Sequence, residues 1–140
     1  MTSYFFTSAT GRIALLLLAL DILLPYLLRR TRLSQVFGLA AGHSAPYLHR
    51  MWPHYWCGYA LVFFSLVHTW ISMQSVSMKR TNMAGLWLAT VAIILLLLQV
   101  ALGLFLQDRT LPTRKLFRSW HYWIMLALVF LIGAHAWLNG

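Results

Sequence analysis

The chain has 140 residues, of which 61% are hydrophobic and only 9% are charged, so it does not have the composition of a soluble protein. Its net charge of +9 would suit a nucleic-acid-binding protein. However, most basic residues lie in the two long connections between apolar segments, so we exclude nucleic acid as a partner. The single cysteine, Cys57, excludes a disulfide or a thiolate cluster within one chain.

Four apolar stretches follow one another along the sequence and predict four transmembrane helices. A bilayer core needs about 20 mostly apolar residues per helix. Backbone groups in lipid must be satisfied within their own segment, which favours helices. We therefore predict an all-α membrane protein, a four-transmembrane-helix bundle in contact with membrane lipid, as one domain over residues 1–140. The predicted helices are about 11–28, 54–74, 84–106 and 119–138.

The first predicted helix is expected to stay in the mature protein. No positive charge precedes Arg12, and no small-residue cleavage site follows the apolar run, unlike in a signal peptide. Asp21 lies in the middle of this helix, and an intramembrane carboxylate is a candidate functional residue. Three roles stay open for Asp21: a proton relay to a quinone, a hydrogen bond to another helix, and a protonated carboxyl group hydrogen-bonded inside the bundle.

The distribution of basic residues predicts the orientation of the chain. One side of the predicted bundle carries Arg29, Arg30, Arg32, Arg50, Arg109, Arg114, Lys115 and Arg118. The other side carries Arg12, Lys79 and Arg80. By the positive-inside rule, we expect both basic connections in the cytoplasm and both termini outside, in a bacterial inner membrane. An alternative is that these arginines only orient the protein and contact lipid phosphates.

The second and fourth predicted helices repeat one pattern without a gap, H-Y-W-x3-A-L-V-F-x4-H. Its histidines are His54 and His68 in one helix and His121 and His135 in the other. One helix separates the two copies, so both cross the membrane in the same direction. His54 and His121 therefore lie at one depth, near the cytoplasm, and the other two lie at a second depth, near the outside.

The spacing of fourteen residues returns the second histidine of each helix to nearly the same face, about 40° behind the first and about 21 Å along the axis. His54 and His68 are therefore too far apart to share one metal. Bundles build cofactor sites from side chains on facing helices. We predict that His54 with His121, and His68 with His135, each hold one planar cofactor. An alternative is that the histidines are satisfied polar residues that hold helices together.

Haem is the cofactor that suits two histidines per site. Zinc prefers four tetrahedral ligands, and square-planar copper needs more imidazoles than two. Haem needs only axial ligands from the protein. The sequence contains no C-x-x-C-H motif for covalent attachment. We therefore predict two b haems between helices 2 and 4, with bis-histidine ligation that favours electron transfer over oxygen chemistry.

Other residues near the histidines are candidates for the cofactor sites. Gly58, one turn after His54, would let a porphyrin approach the backbone, or it would serve helix packing. Arg50 and Arg118 lie within a turn of the cytoplasmic histidines and can pair with haem propionates. Arg114 and Lys115 are further cations there. The histidine-facing stripe comprises Cys57, Gly58, Leu61, Ser65, Ile124, Met125, Leu128 and Ile132. Met125 is expected to serve packing rather than ligation.

His43 and His49 lie in the polar connection between the first two predicted helices. We interpret them as surface residues, with a role in quinone binding or proton transfer as the alternative.

These motifs resemble the ferric reductase-like transmembrane domain family and dihaem b cytochromes. The residues that carry the resemblance are Thr10-Gly11-Arg12-Ile13-Ala14, Val36-Phe37-Gly38-Leu39, His54, Gly58, His68, Arg118, His121 and His135. The resemblance implies that the four paired histidines are axial haem ligands. Family members usually have about six helices, and the reductases add flavin and nicotinamide domains. Four-helix dihaem cytochromes, including dehydrogenase membrane anchors and superoxide oxidase, are closer in size.

Three functions are compatible with these features. The first is an electron-transfer subunit of a redox complex that exchanges electrons with quinone or a partner protein. The second is a stand-alone superoxide:quinone oxidoreductase or ferric reductase, with Lys79 and Arg80 attracting an anion. Because the sequence contains no G-x-G-x-x-G motif, we expect no FAD or NAD domain in this chain. The third is a pigment-binding or structural protein, although antenna pigments need one histidine each rather than facing pairs.

Overall fold

The computed structural model contains four helices and no strand in the residues that it describes. These residues are 2–30, 47–74 and 82–139, with side chains described for 7–28, 51–74 and 82–139. The helices are α1 (Thr2–Arg30), α2 (Tyr47–Gln74), α3 (Met83–Phe105) and α4 (Arg114–Asn139). Each is long and apolar enough to cross a membrane. The predicted all-α class with four membrane-spanning segments is therefore confirmed.

Three helices begin earlier than the hydropathy of the sequence predicts. α1 begins at Thr2 rather than at residue 11, α2 at Tyr47 rather than at 54, and α4 at Arg114 rather than at 119. The predicted bounds followed the apolar runs, whereas a helix continues for as long as its backbone hydrogen bonds do. α3 begins and ends within one residue of its predicted bounds, because in α3 the apolar run and the helix coincide.

Many large apolar side chains lie on the outer surface of the helices. Leu16 is 70% exposed, Phe130 74% and Trp137 88%. A soluble protein rarely leaves apolar surface of this extent in water. In a bilayer, lipid chains cover such a surface, which agrees with the predicted contact with membrane lipid.

The chain divides into two compact units, Met1–Trp70 and Ile71–Gly140. We call α1 with α2 the first hairpin and α3 with α4 the second hairpin, and we describe each by itself. In both, the two helices run antiparallel, as the contacts of the histidines below demonstrate. The prediction of one domain over residues 1–140 stays a prediction.

The face of α2 and of α4 that carries the histidines is the buried face. Cys57 is 7% exposed and Leu61 3% on α2, and Ile124 is 8% exposed and Leu128 1% on α4. The Cys57 thiol donates a hydrogen bond to the Leu17 carbonyl on α1 at 3.4 Å. The predicted histidine-facing stripe therefore contains Leu61 and Leu128, the best-buried described side chain of each helix.

Local hydrogen bonds define the two ends of α3. The Asn82 side chain caps its N-terminus by accepting from the Ala84 amide at 2.9 Å. After α3, the Asp108 carboxylate accepts from the Thr110 hydroxyl at 2.6 Å and from the Thr110 amide at 2.8 Å. These hydrogen bonds lower the pKa of Asp108 because they favour its ionised form. Phe105 and Phe117 then stack across the connection, with ring centroids 5.4 Å apart.

Candidate metal-ligating histidines

His68 is held by the first turns of α1. Its Nδ1 lies 3.0 Å from the Thr7 carbonyl oxygen and 3.2 Å from the Thr10 hydroxyl. The Thr10 hydroxyl donates its own hydrogen to the same Thr7 carbonyl at 3.0 Å. Both neighbours of Nδ1 therefore accept, so Nδ1 must carry the proton. In a neutral imidazole, this places the lone pair on Nε2.

Gly11 makes room for the His68 ring. A Cβ atom at residue 11 would lie 3.0 Å from His68 Cε1 and 3.3 Å from Nδ1. Any larger residue would therefore displace the imidazole or the helix. In the sequence, Gly11 stood out only as part of the first-helix motif, and its contact with a histidine fifty-seven residues away was not foreseen.

One nitrogen of His54 contacts two oxygens of Asp21. Its Nδ1 lies 2.9 Å from Asp21 Oδ1 and 3.1 Å from the Asp21 carbonyl oxygen. The carbonyl oxygen can only accept, so Nδ1 carries the proton and Nε2 is again the atom with the ligand lone pair when the ring is neutral. The carboxylate oxygen lies at ion-pair distance from the same nitrogen without the geometry of a hydrogen bond. Both side chains are about one-fifth exposed. The Asp21 side chain therefore contacts α2, and the three roles left open for it stay predictions.

Pro25 explains why the Asp21 carbonyl can accept from a side chain. Pro25 lies inside α1, four residues after Asp21. Proline has no backbone N–H, so the carbonyl four residues before it receives no helical hydrogen bond. His54 supplies that missing donor at 3.1 Å. The sequence signal, a proline four residues after an intramembrane carboxylate, was available but was not used in the prediction.

Gly58 lies against the Asp21 side chain. A Cβ atom at residue 58 would be 3.9 Å from each carboxylate oxygen of Asp21, an ordinary van der Waals separation. Within the first hairpin, Gly58 therefore serves the contact between α1 and α2. Its role beside a porphyrin stays a prediction.

His135 is held by the first turn of α3 in the second hairpin. Its Nδ1 lies 2.8 Å from the Gly85 carbonyl oxygen, so Nδ1 is once more the protonated nitrogen. Asn139, one turn later, accepts from the Asn82 amide at 2.9 Å. A Cβ atom at residue 85 would collide with the Asn139 amide. Gly85 is therefore needed at the point where the end of α4 closes onto the start of α3.

His121 packs against Gly103 near the other end of α3. A Cβ atom at residue 103 would lie 3.7 Å from His121 Cε1. This contact resembles that of His68 with Gly11, because in both hairpins the same ring atom of a histidine approaches a glycine of the preceding helix. Both glycines are contact residues that the sequence analysis did not identify as such.

The structure describes the side chains of some of the predicted cations. Arg118, Lys115 and Arg12 have exposed side chains. Arg114 is engaged within the second hairpin, where its Nε donates to the Leu106 carbonyl at 3.3 Å. The remaining candidates, which are the side chains of Arg50 and His49 together with His43, Lys79 and Arg80, lie outside the described residues. The pairing of Arg50 and Arg118 with propionates stays a prediction.

The pairing of histidines across the two hairpins, His54 with His121 and His68 with His135, also stays a prediction. Comparison with family models, with curated proteins and with solved structures gives no match for this chain. The resemblance to ferric reductase-like and dihaem cytochromes therefore rests on the motifs of the sequence.

Proposed function

We propose that this chain transfers electrons across a membrane through two b-type haems. His54 with His121 would hold one haem, and His68 with His135 would hold the other. The observation that carries the proposal is the shared hydrogen-bond pattern of His54, His68 and His135. In each of them, Nδ1 donates to an oxygen of the preceding helix.

This pattern fits a haem ligand because a ligating imidazole must present an unprotonated nitrogen in a defined direction. A hydrogen bond from the other ring nitrogen selects the tautomer, orients the ring and raises the basicity of the ligand atom. Proteins commonly use a carboxylate or a backbone carbonyl for this purpose. The backbone carbonyls of Asp21, Thr7 and Gly85 are the acceptors in this chain, and the Asp21 carboxylate lies 2.9 Å from the same nitrogen of His54.

The same pattern argues against histidines that only join helices. A histidine that only holds two helices together can form its hydrogen bond through either ring nitrogen. A set of such histidines would be expected to include both Nδ1 and Nε2 as donors. Here the accepting carbonyls belong to an aspartate, a threonine and a glycine at different places in the helices, yet the bonded nitrogen is the same. A common requirement for Nε2 explains this uniformity.

When bound by two imidazoles, haem supplies one-electron transfer without an open position for a substrate. The residues of this chain hold the ligand nitrogens in place. We propose that Arg118 and Arg50 balance the propionate charges. The spacing of about 21 Å along each helix sets the two sites at different depths. We further propose that a quinone or a redox partner subunit, within a larger complex in a bacterial inner membrane, exchanges electrons with the two sites.

Haem content tests the proposal directly. Purified chain should contain two haems, measured as the pyridine haemochrome, and its reduced-minus-oxidised spectrum should be of the b type. Replacing all four paired histidines by alanine should abolish this signal. As a matched control, His49→Ala should retain both haems, since His49 is predicted to be a surface residue. A wild-type chain without haem, or a four-histidine variant that keeps it, would contradict the proposal.

A further inference from the structure

The repeat of the two histidine helices extends to the helices that precede them. His68 bonds to Thr7, and His135 bonds to Gly85. In the first hairpin, the residue fourteen positions after Thr7 is Asp21, which bonds to His54. Because antiparallel helices have the same rise per residue, equal steps along both keep them level. The residue fourteen positions after Gly85, level with His121, is Gln99.

A second contact supports the same register. The His68 ring lies between Thr7, which supplies the acceptor, and Gly11, which lies four residues later and leaves space. The His121 ring contacts Gly103 with the same atom, Cε1. The residue four positions before Gly103 is Gln99, and residues four apart lie on one face of a helix. Two independent contacts of neighbouring residues therefore place Gln99 level with His121.

Gln99 itself carries an unmet hydrogen-bond acceptor. Its side-chain oxygen, Oε1, is buried and has no hydrogen-bond partner among the described residues. Gln99 is also the only polar side chain in the run Val91–Leu102 of the sequence. An amide in such a segment needs a partner, because lipid offers none.

We propose that Gln99 is the positioning residue of His121, with Oε1 accepting the proton of His121 Nδ1. Gln99 thus takes the place in the second hairpin that Asp21 takes in the first. It acts on the cofactor only through His121, and this part of the inference rests on the proposed function. One haem would then have unlike ligands, because His54 donates to an aspartate and His121 donates to an amide.

Midpoint potentials of the haem-loaded full chain test this role. Hydrogen bonding from a ligand histidine raises its basicity and favours ferric iron. Gln99→Leu should therefore raise the potential of one haem and leave the other unchanged. We expect the oxidised-to-reduced ratio of that haem to fall by about tenfold at a fixed potential, about 59 mV for a one-electron couple. Gln99→Glu keeps an acceptor oxygen and should not raise the potential.

Thr90→Val is the matched control for these measurements. Thr90 lies on the same helix with an exposed side chain, and its hydroxyl bonds only to the Leu86 carbonyl of its own helix in the contacts described, at 3.1 Å. Both potentials should stay at their wild-type values in this variant. Equal shifts of both haems in Gln99→Leu, or no shift, would overturn the assignment of Gln99 while leaving haem binding intact.

Nitrogen NMR of histidine-labelled, haem-free chain separates this inference from the proposed function. Wild-type protein and Gln99→Glu should have the His121 proton on Nδ1, assigned by comparison with His121→Ala. Gln99→Leu should lose that preference, whereas the tautomer of His135 should not change. If the chain binds no haem, the proposed function fails and this spectrum still decides the role of Gln99. An unchanged His121 signal in Gln99→Leu would overturn it.

Discussion

The two hairpins have histidines at the same spacing but hold them by different chemistry. In the first hairpin, the side chains of Asp21 and Thr10 lie beside the histidine nitrogens, and a proline frees one backbone carbonyl. In the second, the observed acceptor is a backbone carbonyl at Gly85, on a helix that is almost entirely aliphatic. The spacing of the histidines is therefore repeated, whereas the surroundings of each ring are specific to its hairpin.

The largest expected effect tests whether the hairpins share their cofactors. His54→Ala and His121→Ala should each remove the same haem, and His68→Ala and His135→Ala should each remove the other. The reason is that a bis-histidine site loses half of its protein ligands in either variant. Haem content should fall from two to one per chain, and redox titration should identify which potential is lost. Loss of different haems in His54→Ala and His121→Ala would show that each hairpin binds its cofactor alone.

A large difference is also expected between two equivalent glycines. Gly11→Ala would bring a methyl group to 3.0 Å from the His68 ring, whereas Gly103→Ala would leave 3.7 Å to the His121 ring. Overpacking costs about 1–3 kcal/mol, whereas alanine otherwise favours a helix over glycine by about 1 kcal/mol. Thermal unfolding in detergent should therefore show Gly11→Ala destabilised and Gly103→Ala unchanged or stabilised. Equal effects would contradict the difference in clearance.

A smaller effect is expected where two oxygens of Asp21 lie beside the Nδ1 proton of His54. Asp21→Leu removes the carboxylate, but the residue 21 carbonyl remains for His54 at 3.1 Å, so we expect a loss of about 1–2 kcal/mol. Pro25→Ala restores a backbone N–H that competes for that carbonyl, and alone it should change stability little. The double variant should lose more free energy of unfolding than the two single variants lose in sum. The reason is that Asp21→Leu removes the carboxylate and Pro25→Ala occupies the carbonyl, so His54 keeps neither oxygen. Additive losses in a double-mutant cycle would argue against a shared proton.

The smallest effect is expected at Asp108, in the connection of the second hairpin. Because hydrogen bonds from Thr110 lower its folded-state pKa, this group stabilises the fold above its ordinary pKa. The contribution is lost as the pH falls through the lowered value. Asp108→Ala should therefore slightly flatten the acid side of the pH–stability profile, and Thr110→Val should act in the same direction. An unchanged profile in both variants would show that the turn does not contribute.

The sequence predicted the features that depend on local pattern. Long apolar runs predicted four helices, because a segment of about 20 apolar residues satisfies its own backbone groups in lipid as a helix. The equal spacing of His54/His68 and His121/His135 predicted that each pair shares a helix face, and these faces are buried. Asp21 was identified as a candidate because a carboxylate is exceptional in such a segment.

The sequence analysis did not identify residues whose role depends on how two helices are aligned with each other. A local sequence pattern carries no information on that alignment. Gly11 and Gly103 are ordinary helix glycines until a histidine ring is placed above them. The role of Pro25 becomes clear only when His54 is known to lie opposite the Asp21 carbonyl, which Pro25 leaves without a helical hydrogen bond. Gln99 was not identified because one amide in an aliphatic helix is less conspicuous than a carboxylate.

The amino-acid sequence by itself determined the number of apolar helices and which histidines are repeated, because helix periodicity follows directly from residue spacing. Only the tertiary structure decided which nitrogen of His54, His68 and His135 carries the proton. That choice depends on an oxygen atom of another helix lying within hydrogen-bond distance. Such a contact is set by how α1 packs on α2 and how α3 packs on α4, and side-chain packing between helices is a property of the fold rather than of any one segment.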